Sequence, residues 1–156
     1  MSADVRTNEV ASTDGEGARR IVAGIDGSPA SLRALEWAAR QAELTDARLE
    51  VVVAWEWPNS FGWSAIPNDY NPALDAEKLL ETLLATLRVR HPDVPITSKV
   101  VEGHPAPVLV NESQGADLLV VGSRGHGEFV GMLIGSTSEH CVANSACPVV
   151  VFRENA

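Results

Sequence analysis

From Arg20 onward, short apolar runs alternate with segments in which apolar residues recur every three or four positions. The first run, RRIVAGID, is rich in Ile and Val and stops at Gly27, the pattern of a buried strand. In the segment that follows, SPASLRALEWAARQAEL, Leu32, Leu35, Ala38, Ala39 and Ala42 fall on one helical face. Ser28 suits the helix cap, and Pro29 suits the first helical position, where a missing N–H costs nothing. RLEVVVAW reads as a second strand, and ALDAEKLLETLLATLRVR as a second helix with Leu79, Leu80, Leu83, Leu84 and Leu87 on one side. Between them, residues 56–73 hold three prolines together with Trp57, Phe61, Trp63 and Tyr70, which predicts a long loop. PITSKVVEG is a third, more polar strand, PAPVLVNESQ a short helix, ADLLVVG a fourth strand, STSEHCVANSA a helix and CPVVVFR a fifth strand.

Apolar strands that alternate with helices predict an α/β fold, a parallel sheet with helices on both faces. Right-handed crossovers leave few topologies for it. In such sheets ligands bind beyond the carboxyl ends of the strands, where the strand order reverses. Residues 1–18 are polar and aperiodic and are expected to form a disordered tail. Residues 19–156 are expected to form one doubly wound domain.

Composition narrows the partners. The chain has 156 residues, enough for one core, with 45% hydrophobic and 21% charged residues. Its apolar runs are too short to span a bilayer, and no signal sequence opens it, so a cytoplasmic location is expected. The net charge is -9, and Lys78 and Lys99 are the two lysines, so nucleic acid and anionic membranes are poor partners. Cys141 and Cys147 read as two buried thiols, and no Cys or His spacing suggests a metal site. Trp37 and Trp55 read as packing residues. The aromatic residues of 56–73 either cover a ligand pocket or a neighbouring subunit, or pack on the chain's own core.

The segment VVGSRGHGEFVGMLIGSTSEH, residues 120–140, carries five glycines after the fourth strand. It is not a Walker loop, because no Gly-Lys pair occurs in the chain. The dinucleotide pattern fails too, since the run is Gly125-x-Gly127-x-x-x-Gly131. What remains is Gly122-x-x-Gly125, nine residues, then Gly135-Ser136. With that spacing the chain resembles the nucleotide-binding branch of the universal stress protein family. VAGIDGSPAS is similar to the family's opening strand and turn, VEGHPAPVLV to its third strand and next helix, and CPVVVFR to its closing strand. The resemblance runs from Arg20 to Arg153 and implies a five-stranded parallel sheet in the order 3-2-1-4-5. It also implies an adenine nucleotide as ligand (ATP, with Mg²⁺ to screen its charge) and a regulatory role in the stress response.

Physical chemistry supplies a reason for each candidate site residue. Gly122 and Gly125 lack Cβ atoms, so backbone can approach a phosphate or ribose. Gly135, Ser136 and Thr137 open a helix, whose N–H groups and dipole favour an anion. Ser136 also has a purely structural reading, as the start of a capping box with Glu139. Arg124 either pairs with a phosphate or is solvated. His126 and His140 read as solvated residues. Asp26 is either a turn residue ahead of Ser28 or, as the resemblance implies, a partner of the adenosine end. Ala54 matches a family position whose backbone meets adenine. No water-activating base is evident, although Glu128 and Glu139 are candidates, so ATP hydrolysis is expected to be slow at most. The rival readings are a slow ATPase or nucleotidyl-transfer enzyme and a module that binds AMP or cyclic AMP. The last strand, Pro148 to Phe152, is an uncharged apolar edge, and a homodimer paired along it is expected.

Overall fold

The computed structural model describes residues 6–8, 18–58, 67–123 and 134–153. Its strands are β1 (Arg6–Asn8), β2 (Arg20–Gly24), β3 (Arg48–Trp55), β4 (Ile96–Glu102), β5 (Leu118–Gly122) and β6 (Val149–Phe152). Its helices are α1 (Pro29–Thr45), α2 (Pro72–Arg90), α3 (Pro105–Glu112) and α4 (Ser136–Asn144). The spatial order of the sheet is β1-β4-β3-β2-β5-β6. The five strands β4, β3, β2, β5 and β6 are mutually parallel, in the order expected from the sequence.

β1 corrects one expectation. Arg6, Thr7 and Asn8 belong to the segment read as a disordered tail, yet they pair antiparallel with Val100, Lys99 and Ser98. Three polar residues carry no apolar period, so the sequence pattern could not reveal a strand that is held by backbone bonds to an open edge.

The helices divide between the two faces. α1 and α2 cover one, where Ala34, Leu35, Ala38, Leu80, Leu84 and Leu87 meet Ala23, Leu49 and Val51. α3 and α4 cover the other, where Val108, Leu109 and Cys141 meet Val22, Val52, Leu119 and Val121. Alternate strand residues thus serve opposite cores, as the pleat requires. Leu32 departs from the expected buried face of α1: it is exposed, and Ala34 takes the inward position. Trp37 and Trp55 pack against the first core, and the Trp37 ring lies 5.6 Å from that of Phe152. Cys141 is buried, and burial pushes its thiol up to about 11, whereas Cys147 is only partly covered.

Two ionic clusters fasten the helices. Buried His91, which caps α2, lies 3.1 Å from Glu43 through Nδ1 and 3.1 Å from Glu36 through Nε2. Both carboxylates come from α1, so the imidazole, when protonated, clamps the two helices. Burial opposes that charge, but the hydrogen bonds to Glu43 and Glu36 outweigh it, and the His91 pKa is raised. On the other face, buried Glu50 accepts from Arg20 at 3.1 Å and lies 3.4 Å from the Lys99 ammonium. Lys99 also reaches Glu112 of α3 at 3.1 Å. Burial and a hydrogen bond with Glu112 raise the Glu50 pKa against the pull of Lys99 and Arg20. Among the described residues, no helix is long and apolar enough to cross a membrane.

Candidate functional site

The strand order reverses between β2 and β5, because β2 leads by way of α1 to β3 on one side while β5 lies on the other. A cleft of about 560 Å³, counting its open mouth, lies at their carboxyl ends. β2 and the turn after it contribute Gly24, Ile25 and Asp26, and β3 contributes Val52 and Ala54. Val121 and Gly122 come from β5, Pro105 and Leu109 from α3, and Gly135, Thr137 and Ser138 from the start of α4.

The turn from β2 into α1 is built by short polar side chains. The Ser28 N–H donates to Asp26 Oδ1 at 2.9 Å, and the Ser31 N–H donates to Ser28 Oγ at 3.3 Å. Gly27 between them has φ +83°, which suits a residue without Cβ. Asp26 therefore has its structural role, while its carboxylate stays exposed at the cleft wall.

Gly122, at the end of β5, also lines the cleft. A Cβ there would come within 2.7 Å of the Ser31 nitrogen and 2.9 Å of the Ala30 carbonyl carbon. Its missing side chain lets the first turn of α1 settle on the end of β5, a packing reason that the sequence reading did not foresee. The Gly122 carbonyl accepts from the Ser138 hydroxyl. The Gly135 N–H donates to the Ser123 carbonyl, so the start of α4 is tied to the end of β5 from both sides of the intervening loop.

Two helices begin at this cleft, and they differ in chemistry. α3 starts at His104-Pro105-Ala106-Pro107, where two prolines lack N–H donors and His104 makes no side-chain cap. α4 starts after Gly135, and its opening turn presents the Thr137 and Ser138 N–H groups, which have no acceptor within the helix. The apolar end of the cleft is thus at α3, and the end suited to an anion is at α4. The capping-box alternative for Ser136 fails: Gly135 is the cap residue, and Ser136 is already inside the helix.

Of the residues expected from sequence, Asp26, Ala54, Gly122, Gly135 and Thr137 line one cleft. Ser136 is exposed beside it and is not part of the lining. Arg124 and Gly125, like His126 and Glu128, lie outside the described residues. Sequence reasoning missed Pro105, Leu109 and Ser138. Pro105 and Leu109 reach the cleft only through the way α3 crosses the sheet. Ser138 carried a signal, since the third residue of a helix that follows a glycine loop belongs to its opening turn.

The sequence profile of the universal stress protein family matches residues 17–153. The chain belongs to that family. A universal stress protein of Mycobacterium tuberculosis is 38% identical over 141 residues, 86% of this chain and 45% of the relative. Another, from Mycobacterium bovis, is 39% identical over 138 residues, 85% of this chain and 43% of the relative. This universal stress protein chain thus spans less than half the length of those relatives. Among solved structures, a universal stress protein in complex with cAMP is 25% identical with a TM-score of 0.61, covering 85% of this chain and 95% of that one. A family member from Arabidopsis thaliana with AMP bound shares the fold at 20% identity, with a TM-score of 0.56 and coverage of 88% and 93%.

Proposed function

We propose that this universal stress protein binds an adenine nucleotide, ATP in particular, in the cleft at the carboxyl edge of its sheet. The reading is carried by the cleft's two-ended chemistry. Ile25, Val52, Ala54, Pro105 and Leu109 offer an apolar slot for a base, with the Ala54 backbone at its edge. The start of α4 offers amide and hydroxyl donors for phosphates, and Arg124 and Gly125 belong to the glycine-rich segment that precedes it in the sequence. Asp26, between the two ends, suits a ribose hydroxyl. The neighbour solved with cAMP supports the same class of ligand. Mg²⁺ would be carried by the phosphates, as is usual for an ion that keeps oxygen ligands and water.

The role that follows is regulatory: a cytoplasmic protein that couples nucleotide state to stress survival, working as a homodimer joined along β6. Turnover is expected to be at most slow, because Asp26 suits the adenosine end and Glu139, in the first turn of α4, is solvent-exposed and outside the cleft lining. A second reading, binding of AMP or cyclic AMP, draws on the ligands named for the neighbours.

Calorimetry with ATP, AMP, cyclic AMP and GTP separates these readings, and mass spectrometry of ligand carried through gentle purification names the occupant. ATP binding with phosphate release far below about 10 s⁻¹, the median for enzymes, is the expected result. A folded protein that binds none of the four overturns the proposal.

A further inference from the structure

Large apolar side chains are exposed at seven places among the described residues, and three of these are Trp57 and Tyr70, whose rings meet, and Leu74, four residues further along the chain. They lie where β3 leaves the sheet and α2 begins. Trp57 is 47% exposed, Tyr70 39% and Leu74 44%. The rings are not loose. Trp55 packs on the core, the Trp57 ring meets it edge-on at 6.0 Å, and the Tyr70 ring meets Trp57 at 6.3 Å. The Tyr70 N–H donates to the Pro67 carbonyl at 3.0 Å, and Asn71 caps α2 by accepting from the Leu74 N–H at 3.2 Å. Rigid, half-exposed Trp and Tyr side chains lose little freedom on contact, which is the property of binding hot spots.

The sequence around this ladder is acidic. From Trp55 to Glu77 the sequence holds four carboxylates, Glu56, Asp69, Asp75 and Glu77, and no Lys, Arg or His. Glu56 is hydrogen-bonded to His104 at 3.1 Å across the corner where α3 starts. Asp69 and Asp75 are exposed on either side of Tyr70 in the chain, and Lys78, one turn beyond Leu74, bounds the patch. A second copy of this chain would bring carboxylate against carboxylate, and an anionic polymer or membrane would be repelled. A partner that presents cations around an apolar centre gains at both.

We infer that the Trp57–Tyr70–Leu74 surface is a docking site for a partner protein segment that carries Lys or Arg residues around a bulky apolar centre. β3 supplies Ala54 to the cleft and Trp55, on the opposite face of the strand, to the ladder, so the docking surface and the cleft share one strand but not one face.

The test uses the full chain and three short synthetic peptides, followed by amide and indole N–H chemical shifts. One peptide combines Arg and Lys with Leu and Trp, the second replaces its cations with Glu, and the third keeps the cations but has Ala for every bulky residue. The first is expected to shift the Trp57 indole and the Tyr70 and Leu74 amides, and the other two are not. Affinity should fall about tenfold in Trp57→Ala and in Asp69→Asn/Asp75→Asn, a loss typical of a hot-spot residue. The asparagine variant leaves the rings untouched, so the test survives if Trp57→Ala misfolds. Several outcomes overturn the inference. They are equal binding of the first and third peptides, shifts unaffected by the variants, a Trp57 indole shielded from solvent by residues 59–66, and Trp57 shifts that change on dilution of the protein alone. These readouts need no nucleotide, so they stand apart from the fate of the cleft assignment.

Discussion

Gly122 is held so closely by the first turn of α1 that even one methyl group has no room. The obstacle is backbone, the Ser31 nitrogen and the Ala30 carbonyl carbon, and backbone cannot rotate aside as a flexible side chain can. Gly122→Ala is therefore expected to cost about 1–3 kcal/mol, as overpacked sites do, measured by chemical denaturation. Unchanged stability would mean that α1 yields freely there. At the far side of α1, His91 has a pH signature. Its pKa is raised in the fold, so the clamp's contribution is fully present below the unfolded value of about 6.5 and fades as pH climbs through the folded value. The denaturation midpoint of the parent should fall between about pH 6 and about pH 8, the range in which a histidine switches. In His91→Gln that slope should flatten, with a loss of about 1.5–3 kcal/mol at the acid end, the worth of a hydrogen bond to a charged group. An equal slope in both proteins would assign the pH dependence to other groups.

The elements that meet at the cleft are specialised by their opening residues. α3 spends its first turn on prolines, and α4 on a glycine followed by hydroxyl residues. If α4 holds the phosphates, Thr137→Val should weaken ATP binding about tenfold, the value of one hydrogen bond to a charged group, and leave adenosine binding unchanged. A parallel loss for adenosine in calorimetry would show that Thr137 supports the cleft as a whole. Much of this level was legible in the sequence. β2, β3 and β5 are near-continuous apolar runs, and the leucines of α2 recur on one face, so their type follows from burial, whereas the spatial order of the strands comes from the family resemblance. Asp26, Ala54, Gly122, Gly135 and Thr137 were also accessible, because they sit where strands end and helices begin. Pro105 and Leu109 were not, because their place depends on the crossing of α3 over the sheet. The capping-box alternative for Ser136 rests on a serine three residues before a glutamate, and only the backbone shows Gly135 in the cap position.

At the scale of the molecule, the two edges of the sheet are finished differently. On one side β1 covers β4. On the other β6 is last, half-buried along its length. The Pro148 and Phe152 carbonyls accept from Leu119 and Ser123, so these positions face β5, and the alternate residues Val149 and Val151 turn their backbone groups outward. Val150 packs into the core beneath α1, so a change there would damage the fold before it damaged any pairing. Val151→Pro is the cleaner probe, since it removes an outward N–H that no bond to β5 uses. For a homodimer joined along β6, light scattering should show the parent mass halved in this variant. A parent of monomer mass at micromolar concentration would end the dimer proposal. The polar strand β1 has a further bearing on assembly. A sheet with two bare edges can recruit a neighbour at each, and each recruit offers another, so growth has no natural end. With β4 partly covered by the chain's own three-residue, polar β1, a two-fold contact at β6 would leave a pair of molecules with only short edges exposed, which disfavours further strand addition.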